Sequence, residues 1–139
     1  MYLLDTNVIS ELRKVASGKS DKHVIRWADN VSAASLFLSV ITILELETGT
    51  ILVERRDPKQ GAMLRSWLNI HVLPTFSERI LVLDIAVAQC CAKLHVPNPY
   101  SDRDAIIAAT ALVHGMTVVT RNVHDFKPTG VEILNPWEP

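Results

Sequence analysis

The chain has 139 residues, 48% of them hydrophobic and 21% charged, and a formal net charge of −1. That length forms one domain able to bury a core without disulfide or metal staples, and no stretch approaches the roughly 18 uninterrupted apolar residues of a membrane span. A near-neutral balance excludes a protein that grips nucleic acid over its whole surface by counterion release, so any polyanion contact is local. The first residues read directly as a strand, without the basic, apolar and cleavage regions of a secretory signal, so a cytoplasmic location is expected. Cys90 and Cys91 are adjacent in a helical pattern, where their side chains diverge by about 100° and do not bridge.

The elements alternate along the chain. Tyr2–Leu4 reads as a first strand and Val8–Lys14 as a short helix; a Ser/Gly/Lys loop then leads to a helix over 23–32 with Val24, Trp27, Ala28 and Val31 at helical spacing. Leu36–Ser39, an apolar run closing on a hydroxyl, suits a buried strand beside the first. Thr42-Ile43-Leu44-Glu45 opens a helix reaching Leu52. Asp57-Pro58 opens another, with Met63, Leu64, Trp67 and Leu68 as its apolar face, and Pro74 closes that arm. Ile80–Leu83 reads as the third strand, Asp84 caps a helix to Leu94, and Pro97-Asn98-Pro99 makes a turn. The helix starting at Ser101-Asp102-Arg103-Asp104 has a body of small and apolar residues, Ala105–Ala111, the pattern of a helix covered on most sides. His114-Gly115 ends it, Thr117–Thr120 is the fourth strand, and Val131–Leu134 the fifth, after the turn Lys127-Pro128-Thr129-Gly130. This order predicts a single α/β domain over residues 1–139, an α/β/α sandwich on a mainly parallel five-stranded sheet.

Three acids recur where a strand hands over to a helix: Asp5, Glu45, and Asp104 at the start of the small-residue helix. A fourth polar group, Thr120-Arg121-Asn122-Val123-His124-Asp125-Phe126, follows the fourth strand. If strands one, two and four are neighbours, these groups meet at the carboxyl end of the sheet, the usual ligand-binding edge. Carboxylates collected there repel one another unless a cation neutralises them, and hard oxygen donors suit Mg²⁺ or Mn²⁺. Each acid also has a structural reading. Asp5, Thr6 or Asn7 caps a helix, Thr42 with Glu45 fits a capping box, and Ser101 with Asp104 fits one less well. Capping does not explain why all three acids share one kind of junction, and the spacing leaves both readings open.

Five stretches, in order along essentially the whole chain, resemble PIN-domain proteins of the VapC type, closest to their FitB-like branch. They are Leu3–Ser10, Ser39–Leu46, Asp104–Ala111, Val118–Phe126 and Asn135-Pro136-Trp137. The resemblance implies a metal-dependent endoribonuclease, the toxin of a type II toxin–antitoxin pair. Structured RNA is the implied substrate, with the anticodon loop of initiator tRNA as the leading choice, and translation arrest the result. The family acids fall on Asp5, Glu45 and Asp104, with Asp5 and Asp104 as ligands to Mg²⁺ or Mn²⁺. The fourth falls on Asp125, with Asn122 as the alternative or as a partner that holds water. Thr6, Ser39 and Thr120 are small hydroxyls suited to orienting carboxylates or bound water, or to a purely structural role. Arg13 and Lys14, in the basic stretch that continues through Lys19, Lys22, His23 and Arg26, are candidate RNA contacts together with Arg121; a solvated helix flank is the plainer reading of that stretch.

The same resemblance implies a homodimer and a cognate antitoxin of the VapB or FitA type. The arm from Ile43 to Leu73 carries Ile51, Leu52, Val53, Leu64, Trp67 and Leu68, more apolar surface than a thin pair of helices buries alone, although core packing explains it equally well. Other chemistries fare poorly: there is no Gly-rich phosphate loop, zinc-spaced cysteine pair or His-Glu-x-x-His. Position 7 is Asn where an aspartyl-nucleophile phosphatase would need its second aspartate. The rival reading is a catalytically silent PIN fold that binds RNA or protein.

Overall fold

The computed structural model describes residues 1–139. Five short strands, β1 (Tyr2–Leu4), β2 (Leu36–Ser39), β3 (Ile80–Leu81), β4 (Thr117–Val119) and β5 (Ile133–Leu134), pair in the order β3-β2-β1-β4-β5. Every pairing is parallel. The helices are α1 (Thr6–Leu12), α2 (Lys22–Asp29), α3 (Val40–Arg56), α4 (Pro58–Ser66), the single turn α5 (Leu73–Thr75), α6 (Ile85–Leu94), α7 (Asp102–His114) and α8 (Val123–Phe126). A π-helical segment, Trp67–Val72, joins α4 to α5. No helix is long and apolar enough to cross a membrane.

A parallel sheet covered on both faces needs apolar residues of both parities along its strands. In β1, Leu3 packs with Ile107, Ala108, Ala111, Val118 and Phe126. Its neighbour Leu4 turns to the opposite face, with Val8, Ile9, Leu68, Val72 and Val119. Helix α7 therefore covers one face, and α1 with the α4–π arm covers the other. The alanines of α7 permit close approach on two sides: Ala108 and Ala111 meet the sheet, while Ala105 and Ala109 meet Val87 and Cys91 of α6. Both cysteines are free thiols.

Two strands are shorter than the apolar runs suggest. Residues 80–83 read as strand, but only Ile80 and Leu81 pair, opposite Leu38 and Ser39. Chain beyond Ser39 is already helical, so Val82 and Leu83 have no neighbour to bond and lie exposed. At the other edge β4 begins at Thr117 and its register aligns Val118 with Ile133, which leaves Val131 outside the ladder and buried under Phe126 and its neighbours. Thr120 likewise lies just past β4.

Side-chain caps start the helices. Asp21 accepts from the backbone N–H groups of His23 and Val24, Asp57 from Gln60 with Pro58 at the first helical position, and Asp84 from Val87. Ser39, not Thr42, caps α3, accepting from Ile41 N–H at 3.1 Å, so the capping box expected of Thr42 and Glu45 does not form. Ser101 precedes α7 without a side-chain cap bond.

The arm is clamped to itself. Arg65 donates to Glu47 at 2.7 Å and to Glu54 at 3.1 Å, and Gly61 lets the α4 backbone lie against Glu54 of α3. A Cβ at position 61 would fall onto the Glu54 backbone, which cannot yield as a flexible side chain does. Gly61→Ala is expected to destabilise by about 3 kcal/mol in chemical denaturation. Gly49→Ala, on α3 where an added Cβ meets open space, should stabilise by about 0.5–1 kcal/mol. Equal behaviour of the two variants would show that the helices are not in backbone contact.

Candidate active site

The carboxyl ends of β1, β2 and β4 open into one polar cavity of about 480 Å³, lined by residues that include Asp5, Thr6, Asn7, Glu45, Asp104 and Asn122. Asp5 closes β1 and caps α1, with only 5% of its surface exposed. Its Oδ1 accepts from Thr6 N–H at 2.8 Å. Its Oδ2 accepts from the Thr120 hydroxyl at 2.8 Å and from the Asn7 amide at 3.3 Å. The Thr120 Oγ1 in turn accepts from Asn122 N–H at 2.9 Å and from Asn7 Nδ2 at 3.4 Å. Asn7 Oδ1 accepts from Arg121 N–H at 3.3 Å, so the start of α1 is tied to the turn after β4. On the other side, the Thr6 hydroxyl donates to Glu45 Oε1 at 2.8 Å and lies 3.4 Å from the Thr42 hydroxyl.

Burial raises the Asp5 carboxyl above its ordinary range, opposed by the bonds from Thr120, Thr6 and Asn7, with the Glu45 charge adding to the rise. Asp104, half-buried in the first turn of α7, has no such relief. Desolvation, followed by the charges of Asp5, Asp125 and Glu45, pushes it up to about 6. Positive charge stands at the margins. Lys14 lines the cavity and pairs with Glu11 at 3.2 Å; Arg121 lines it too, its guanidinium carbon 5.2 Å from the centre of the Trp137 ring. Arg103 approaches Glu45 only to 3.8 Å.

The structure brings together Asp5, Glu45, Asp104, Thr6, Thr120, Asn122, Lys14 and Arg121, and it places three other candidates elsewhere. Ser39 is buried and spends its hydroxyl on capping α3. Asp125 is exposed on α8, outside the cavity lining though within electrostatic reach of Asp104, so Asn122 rather than Asp125 forms that wall. Arg13 does not line this cavity, and its guanidinium carbon lies 5.9 Å from the centre of the Trp67 ring. Asn7, Ser10, Glu11 and Trp137 line the cavity and were not among the candidates. The signal for the first three is the spacing 7, 10, 11 and 14, one polar helical face opposite Val8, Ile9 and Leu12.

A family model described as "PIN domain" matches residues 2–130. The chain belongs to the PIN-domain family. Within it, the chain is similar to VapC ribonuclease Y4jK of Sinorhizobium fredii, 38% identical and covering 100% of this chain and 99% of that protein. It is also similar to Toxin FitB of Neisseria gonorrhoeae, 36% identical over 99% of each. The crystal structure of FitAcB from Neisseria gonorrhoeae contains a chain that superposes with a TM-score of 0.90 at 35% identity, each chain covered completely. The protein is thus a VapC/FitB-like PIN domain with the all-parallel five-stranded sheet of that fold.

PIN nucleases are typically metal-dependent, and the donor set of this PIN domain suits a hard divalent ion. Asp5 keeps lone-pair capacity after its three hydrogen bonds, and Asp104 has no hydrogen bond to satisfy it. No three acidic, histidine or cysteine side chains are drawn into a ready-made cage. An arrangement of one or two carboxylates with several retained waters is the mode of Mg²⁺ rather than of a dehydrated, all-protein site. Asp5 and Asp104 are the residues that could hold such an ion, with Glu45 able to contribute directly or through water.

Proposed function

We propose that this PIN domain is a Mg²⁺-dependent endoribonuclease, the toxin of a toxin–antitoxin pair, which cleaves structured RNA at the anticodon loop of initiator tRNA and so arrests translation. The observation that carries the reading is the gathering of Asp5, Glu45 and Asp104 around one cavity whose margins carry Lys14 and Arg121. A bound divalent ion supplies Lewis acidity toward a phosphate and a water of lowered pKa. The side chains supply position. Thr120, Thr6 and Asn7 fix the Asp5 carboxylate from three directions, and the Thr6 hydroxyl holds one oxygen of Glu45 while Arg103 approaches the other to 3.8 Å. Lys14 and Arg121 meet the phosphates on either side of the cut.

A silent binding module would share this fold without needing a carboxyl raised by burial and by its acidic neighbours. The strained proton affinity of Asp104, in a cleft, favours chemistry. Y4jK bears the name ribonuclease and FitB the name toxin, and the antitoxin proposed here is of the FitA or VapB type. Ile51 and Leu52 of α3 remain more than half exposed, whereas Leu68 is fully buried, so the arm offers a smaller apolar surface than its sequence suggests for that antitoxin or for a second copy of the chain.

Purified protein is expected to cut initiator tRNA with Mg²⁺ or Mn²⁺ and to stop on addition of chelator, as read on a denaturing gel. Cleavage that persists in chelator would remove the metal from the mechanism. Equal cutting of elongator tRNAs would remove the substrate assignment alone.

A further inference from the structure

We infer that the trough between the Arg13–Lys19 segment and the α4–π arm is a track for single-stranded RNA, with Trp67 as a platform for one base and Arg13, Lys14 and Lys19 as phosphate contacts. The inference rests on the ribonuclease reading and adds the path of the strand away from the acidic cavity.

Continuity is the first support. Thr6 and Glu45 line both the acidic cavity and a smaller concavity of about 250 Å³ that reaches Arg13 and Trp67. Arg13 and Trp67 also line a groove of about 710 Å³, and Lys14 is common to that groove and the acidic cavity. The three hollows are therefore neighbours that share side-chain walls. Charge is the second support. The groove carries Arg13, Lys14 and Lys19 and no acid, on a chain whose net charge is −1. An acidic cavity repels a polyanion, so a strand that must enter it needs a flanking cationic surface to offset that repulsion.

The third support comes from local structure. Trp67 opens the π segment, whose widened turn sends Leu68 and Val72 into the core. Trp67 and His71 are left at the groove wall. π turns of this kind concentrate at functional sites. The Arg13 guanidinium carbon lies 5.9 Å from the centre of the Trp67 ring, which puts a cation beside an aromatic side chain, the pairing on which a nucleobase of any sequence can lie. An acidic peptide would meet the same charges but makes no use of an aromatic side chain beside the acidic cavity.

The test is binding in chelator, where cleavage is absent, with labelled single-stranded oligouridylate as the probe. Trp67→Leu should weaken binding about tenfold and abolish the quenching of tryptophan fluorescence that stacking produces, while Trp27 and Trp137 still report on the fold. Lys19→Gln, exposed in its loop, should lower the slope of log affinity against log salt by about 0.7. Wild-type affinity in Trp67→Leu together with a wild-type salt slope in Lys19→Gln overturns the track. Tighter binding of oligoglutamate than of oligouridylate also overturns it and gives the groove to an acidic peptide. Mg²⁺-dependent cleavage by the wild type is scored separately. If it persists while both variants bind normally, only the track fails. If no RNA is cut while oligouridylate still binds through Trp67 and Lys19, the track stands and the ribonuclease reading fails.

Discussion

Asp104→Asn is expected to lose about a thousandfold or more of Mg²⁺-dependent RNA cleavage and, in metal-free buffer at pH 7, to melt above the wild type. Both effects have one origin. Asp104 sits half-buried beside Asp5 and Glu45 with no hydrogen bond of its own, so its negative charge is tolerated in the folded chain rather than favoured by it. Replacing the carboxylate by an amide removes the repulsion and removes an ion ligand together. After discounting for the water that still reaches the side chain, the relief is about 1 kcal/mol, or roughly 3 °C in melting temperature for a chain of this size. Stability lost at active sites is commonly recovered this way. A variant that is inactive and less stable would instead mark Asp104 as structural, and one that still cuts would end its role in metal binding. Asp5→Asn should be as inactive without the gain, because its oxygens accept three hydrogen bonds that an amide cannot fully reproduce.

Mg²⁺ affinity is expected to fall about tenfold between pH 7 and pH 5. Asp104 titrates near 6, so it is mostly ionised at pH 7 and mostly protonated at pH 5, and a proton there competes directly with the ion. The stability of the metal-free protein moves the opposite way. A carboxyl whose folded pKa is raised holds its proton more tightly folded than unfolded. Its stabilising contribution is fully present below the unfolded value of 3.8 and is lost as pH rises through about 6. Acidifying from pH 7 to pH 5 should therefore raise this site's contribution to metal-free stability while weakening the stabilisation by Mg²⁺. Thermal melts with and without Mg²⁺, repeated on Asp104→Asn, isolate the effect: the difference between wild type and variant is the Asp104 part of both trends, and the raised Asp5 carboxyl leaves a remainder in the variant. A Mg²⁺ response independent of pH over this range would place the ion away from Asp104.

The step from Leu4 to Asp5 was readable because a three-residue apolar strand running into an acid is unusual, and the parallel register then carries that acid to the ligand-binding edge. Glu45 was readable in position but not in cause. Thr42 and Glu45 have capping-box spacing, yet Ser39 took the cap, which set Glu45 a turn deeper and freed it for Thr6. Asn7 was missed because starting α1 at Val8 leaves it in a loop; once Asp5 caps the helix at Thr6, Asn7 joins Ser10 and Glu11 on the cavity wall. Asp125 depended on α8, a helix of four residues too short to leave a period in the sequence. The π segment has no marker either, since its widened turn is a response to packing Leu68 and Val72 together rather than to any residue preference.

The hydrogen bond from Thr120 to Asp5 joins residues 115 positions apart. Its central strand is made first during synthesis, but that strand's β4 neighbour, the turn that steadies Asp5, and Asp104 all emerge in the last third. A nascent chain that ends before residue 104 therefore holds Asp5 and Glu45 but lacks Asp104 and the Thr120 bond to Asp5. The cavity's full set of acids is complete only as the last third of the polypeptide is made.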